Sequence, residues 1–212
     1  MPDNIFKRGF TIIEVIVVMA VFLFIVGAGI GIFISIVQNQ KRVLAEQQLL
    51  NQVSYIEEYM SKALRMAKTD QAGDCIGEKN IYKLTRYDTG LGSYRGIEFI
   101  NPSDFDSEGN PICQQFFLDN ITDPDHPVLK ELINSDNDND AVALTSDNLK
   151  INSMKFLINK DISGGDPVSS TSDGIQPRVT ILLNIQIPGD SSQPNRVIQT
   201  TVSRRNLNVY QP

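Results

Sequence analysis

The chain has 212 residues, 41% hydrophobic and 21% charged, an ordinary balance for a folded protein that excludes wholesale disorder. A formal net charge of −6 excludes a grip on nucleic acid by bulk electrostatics, because neutralising phosphates needs clustered Lys and Arg. Hydrophobicity is concentrated before position 38, and the rest is polar, acidic and rich in Asn, Asp and Ser, which implies an apolar appendage followed by one domain.

The amino terminus reads MPDNIFKRG, ending in Lys7, Arg8 and Gly9, and continues with Phe10, Thr11, Ile12, Ile13 and Glu14. Positions 15–37 carry no charge and a single hydroxyl, Ser35. As a helix rising about 1.5 Å per residue, this run crosses a hydrocarbon core of about 30 Å. A secretory signal would be cut after the run at small residues, but Gln38, Asn39, Gln40, Lys41 and Arg42 follow it instead. Lys7 and Arg8 favour a cytoplasmic amino end; Lys41 and Arg42 on the far side weaken that charge difference.

Glu14 does not suit a plain anchor. An ionised carboxylate in hydrocarbon costs a few kcal/mol even on lenient insertion scales, and so needs a partner. Cleavage after Gly9 would create an amine on Phe10, one helical turn from Glu14 and able to pair with it in the same chain or in a neighbour. The alternative is a carboxylate resting among lipid headgroups.

The segment Lys7-Arg8-Gly9-Phe10-Thr11-Ile12-Ile13-Glu14-Val15 closely resembles the processing site of type IV prepilins and of the pseudopilins of type II secretion systems. The resemblance covers roughly the first 40 residues. It implies that a prepilin peptidase cuts between Gly9 and Phe10, that Phe10 becomes N-methylated, and that Glu14 pairs with the amine of an adjacent subunit. It also implies a single-pass inner-membrane protein with an extracytoplasmic head, inserted by membrane assembly machinery into a periplasmic or cell-surface filament of other pilins or pseudopilins. Residues 1–9 are then the leader, 10–37 the transmembrane and filament-core helix, 38–72 its amphipathic half, and 73–212 the head.

Within the span, Gly27 and Gly31 stand one turn apart, a small-residue spacing for close helix approach, and with Gly29 they weaken the helix; the resemblance to pilin-like filaments implies that Gly27, Gly29 and Gly31 form a flexible point on assembly. Beyond it, Leu50, Val53, Ile56, Met60, Leu64 and Ala67 recur at three- and four-residue steps, which extends the same helix to about Lys68, with Gly73 as a stop signal. β-branched or aromatic runs bounded by Pro, Gly, Asn or Asp predict strands at 96–100, 112–118, 141–145, 151–159, 178–187 and 196–204. In the fifth of these, Ile181, Leu183, Ile185 and Ile187 form the packed face. Residues 163–174 read as a long loop. The expected fold class is α+β, a long helical spine against an antiparallel sheet. Positions 200–207 resemble the last strand of minor pilins and minor pseudopilins.

With the head outside the membrane, Cys75 and Cys113 are expected to form a disulfide closing a loop of about 38 residues; two buried thiols are the alternative. No enzyme signature is present, and the only histidine, His126, lies between Pro124 and Pro127 in a loop. The run Asp136-Asn137-Asp138-Asn139-Asp140, with Asp147 at the twelfth place, has the alternation of a Ca²⁺ loop. Ala141 stands where such a loop needs Gly, and Asp147 where it needs Glu, so a solvated acidic turn is the competing reading. The expected function is a structural subunit, minor rather than major, of a type IV pilus or type II secretion pseudopilus. The alternative is a signal-anchored extracytoplasmic binding module that never polymerises.

Overall fold

A computed structural model describes residues 9–107, 109–135, 137–146, 149–159, 168–169, 177–186 and 195–204. The chain divides into two compact units, Met1–Gln47 and Gln48–Pro212, with the boundary inside a single helix, α1 (Ile12–Met66).

Over residues 15–37, within the first unit, α1 is apolar on every face, and Val17, Phe24, Ile30 and Phe33 are all more than half exposed. A helix greasy all round has no wet face to offer, so it belongs in lipid or in a protein bundle. It runs through Gly27, Gly29 and Gly31 without a break, and added Cβ atoms at those glycines would meet nothing within 4 Å.

In the second unit one stripe of α1 is buried: Leu49, Val53, Ile56, Met60, Ala63 and Leu64. The steps of three and four follow the helical period. The stripe starts at Leu49, and the expected Leu50 is 43% exposed, because 49, 53 and 56 share a face that 50 leaves. The helix ends at Met66, two residues before the expected Lys68, whose N–H instead pairs with the Ile100 carbonyl at 3.0 Å. Tyr82 closes that end, donating its hydroxyl at 2.6 Å to the Leu64 carbonyl, which also accepts the Ala67 N–H at 3.3 Å.

Among the described residues nine strands follow: β1 (Asn80–Asp88), β2 (Ser93–Phe105), β3 (Pro111–Asp119), β4 (Val128–Ile133), β5 (Val142–Ala143), β6 (Lys150–Ile158), β7 (Val168–Ser169), β8 (Arg178–Gln186) and β9 (Arg196–Ser203). The main path runs β5-β4-β3-β2-β6-β8-β9, with β1 paired to β2 and to β7, and every named pairing is antiparallel. This is the α+β layout of one helix packed on an antiparallel sheet.

The core lies between the helix stripe and the inner sheet face, where Ile97 and Phe99 (β2), Phe116 (β3), Met154 and Phe156 (β6) and Ile181 and Leu183 (β8) are buried. Each fully buried side chain of this size contributes about 1.5–3 kcal/mol. In β8, Val179, Ile181, Leu183 and Ile185 alternate with half-exposed neighbours, as their spacing predicts; Ile187 lies outside the described residues.

The sequence reading omits β1 and β4, and extends β5 too far. β7 falls within the stretch read as a loop, where residues 168 and 169 pair with Tyr82 and Asn80; the remainder of 163–174 lies outside the described residues. At Gly96, paired to Thr85 on one side and Phe117 on the other, an added Cβ would strike the Thr85 hydroxyl, so only glycine lets these strands close.

Candidate processing and assembly site

Gly9 and Phe10 precede α1, and both are exposed, Phe10 at 82%. Thr11 starts the helix: its hydroxyl accepts the Glu14 backbone N–H at 3.3 Å and its carbonyl accepts the Val15 N–H at 3.3 Å. That is an N-cap, and Thr11 with Glu14 three residues on has the spacing of a capping box. The sequence reading missed the cap, although the T-x-x-E pattern signals it. Glu14 is the acid of the first turn, where unsatisfied N–H groups favour a negative charge. It is also the only charged residue from Phe10 to Gln40.

The sulfurs of Cys75 and Cys113 are bonded, with Cα atoms 5.7 Å apart. The bridge ties the loop after α1 to β3. Asp70, 2% exposed, organises that loop by accepting the N–H groups of Gly73, Cys75 and Ile76 at 2.7, 3.0 and 2.9 Å. Burial pushes its carboxyl upward, but the N–H groups of Ile76, Cys75, Gly73 and Gly77 prevail and hold it below the usual range. Gly73 turns the chain at φ +86°, which accounts for a glycine there.

The acidic run does not gather into a ligand cluster among the described residues. Asp138–Asp140 is a single 3-10 turn capped by Asn137, whose side chain accepts the Asn139 N–H at 3.1 Å. Both Asp138 oxygens engage the Arg86 guanidinium, which holds that carboxyl below its usual range. Arg86 also lies over the Phe117 ring, 4.4 Å from its centroid. Asp140 accepts the Ser135 hydroxyl at 2.7 Å. Asp136 and Asp147 lie outside the described residues. His126 is exposed and approaches Asp123 at 3.3 Å.

A capped, apolar amino-terminal helix, long enough to span a bilayer and continuing into the core of a sheet domain, defines a membrane-anchored α+β protein. Residues 6–30 match the model of the prokaryotic N-terminal methylation motif, the signature of type IV pilins and pseudopilins. The match, confined to residues 6–30, supports a type IV pilin-like precursor and points to a structural protein. No curated protein and no solved structure matches the chain.

Proposed function

We propose that the chain is a structural subunit, minor rather than major, of a type IV pilus or type II secretion pseudopilus. A prepilin peptidase removes residues 1–9, Phe10 is N-methylated, and the apolar half of α1 enters a filament core beside other pilins. The single observation that carries this reading is Glu14, a lone acid in the first turn of α1 and the only charge in its apolar half. Leaving it unpaired in a low-dielectric filament core is costly, and the terminal amine of a neighbour one register away supplies the counter-charge. Retention of Glu14 suits a subunit that sits beneath another.

The test is incorporation. Wild-type chain and Glu14→Ala, expressed in the native host, are followed in the membrane fraction and in sheared or purified filaments. The expected result is equal processing and membrane insertion, with a loss of Glu14→Ala from filaments. Equal incorporation of both would contradict the role given to Glu14, and absence of the wild type from every filament would favour a tethered, non-polymerising head.

A further inference from the structure

Ile97 and Phe99 of β2 point into the core, so the residue between them, Glu98, projects from the opposite face of the sheet. Glu98 pairs with Gln115, and Ile100 with Cys113, which makes Glu98 and Cys113 diagonal neighbours on that face. Cys75 reaches the same point from the loop that Asp70 organises. The two sulfurs and a Glu98 carboxylate oxygen all lie within 4.8 Å of one another, and among the described residues no other trio of metal-capable side chains is so close. The carboxylate is shared: Oε1 is 3.6 Å from Cys113 Sγ, while Oε2 is 3.4 Å from the Lys83 ammonium. These three residues also line a cavity of about 290 Å³, which gives solvent access to the sulfurs.

We propose that this cluster, once reduced, is a metal site for Zn²⁺ or a similar soft divalent cation, so that disulfide and metal are alternative fasteners of one loop. The thiolates of Cys75 and Cys113 and Oε1 of Glu98 are the three protein ligands, with water as the fourth. Tetrahedral Zn²⁺ with Zn–S bonds of about 2.3 Å sets two sulfurs roughly 3.7 Å apart. A Cα separation of 5.7 Å accommodates this by side-chain rotation. Two thiolates and one carboxylate bring three negative charges, which the dication and Lys83 balance. Lys83 is a positioning residue: by holding Oε2 it aims Oε1 at the sulfurs, as outer partners of metal ligands do.

The redox step balances with a dithiol as the co-reactant. It donates two electrons and two protons, is itself oxidised to a disulfide, and leaves two protein thiols. Those thiols release their protons to solvent as the metal binds. The oxidised and metal-loaded forms exclude each other because they use the same two sulfurs. A head folded before oxidation would thus hold the loop through the metal, and a strong oxidant would expel it.

The experiment uses the full chain in detergent micelles, oxidised or reduced with a dithiol and desalted without air, titrated with Co²⁺ as the probe. The reduced chain should bind one Co²⁺ with a thiolate-to-metal charge-transfer absorption that Zn²⁺ abolishes, and the oxidised chain should show none. Glu98→Gln should weaken Co²⁺ binding by about tenfold or more, and Lys83→Met by less. No charge-transfer band on the reduced wild type overturns the proposal, as does undiminished affinity in Glu98→Gln. Should Glu98→Gln fail to fold, X-ray absorption of the Zn²⁺-loaded wild type decides. A mixed shell of two sulfurs and oxygens supports the site, and a four-sulfur shell from paired chains overturns it.

Discussion

Tyr59 on α1 donates its hydroxyl to the buried carboxylate of Glu131 on β4 at 2.8 Å, a polar link between the helix and the sheet. Glu131, 7% exposed, also accepts the Gln114 amide, and Gln114 in turn accepts the Asn101 amide at 2.8 Å. The chain of bonds therefore crosses α1, β4, β3 and β2. A buried carboxylate is tolerated only when donors surround it, so each donor here is needed.

Tyr59→Phe should destabilise the head by about 1–2 kcal/mol, because it leaves Glu131 one donor short while keeping the edge-to-face contact with Phe116. Thermal unfolding in detergent should register this as a drop of several degrees. An unchanged midpoint would show that water satisfies Glu131 without the tyrosine.

Asp70 contributes to the head's dependence on acid pH. Its folded carboxyl is held low by backbone donors, so its contribution is fully present above the unfolded value of about 4 and fades as pH falls through the lower folded value. Asp70→Asn should cost about 1.5–3 kcal/mol at pH 7 and flatten the acid limb of the stability curve. Parallel acid limbs for the two proteins would contradict this.

Glu57 has the opposite sign. Burial raises its carboxyl, only partly offset by the Thr200 hydroxyl, and one of its oxygens is buried with no hydrogen-bond partner among the described residues. A raised folded value favours the protonated folded state at low pH, and stability is lost as pH rises through that value. Glu57→Gln should therefore stabilise the head by up to about 1 kcal/mol at pH 7 and by nothing below pH ~4. A destabilised variant at pH 7 would show that the charge, not the burial, matters there.

Reducing the Cys75–Cys113 bond in the absence of metal, or replacing both residues by Ser, should cost roughly 3–4 kcal/mol on the chain-entropy model for a loop of this length. Denaturant unfolding of oxidised and reduced chain, with a chelator present, measures it. Coincident curves would mean that the loop is held by Asp70 alone.

The long helix and the strong strands were legible because their signals are local: an uncharged apolar run, a three-and-four step, and period-two alternation in β8. β4 was not legible. Val128-Leu-Lys-Glu-Leu-Ile133 carries two charged residues, and nothing nearby reveals that Glu131 is buried, because its partners Tyr59 and Gln114 are remote in sequence. β1 hides for a related reason: Ile81 and Tyr82 are buried side by side, while Lys83 and Arg86 serve partners on β2 and the Asp138 turn. The partner of Asp138 is hidden in the same way, since Arg86 lies 52 positions from it. Of the amino-terminal site, the Gly9-Phe10 bond and Glu14 are visible as motif, whereas the role of Thr11 as cap emerges from its bonds.

The most direct test of the account is intact and amino-terminal mass spectrometry of the protein recovered from its host. The account predicts a mature chain beginning at Phe10 and carrying one methyl group on its amine. A chain that still begins with Met1 would leave Glu14 without the counter-charge that the proposed assembly requires, and would contradict the filament role.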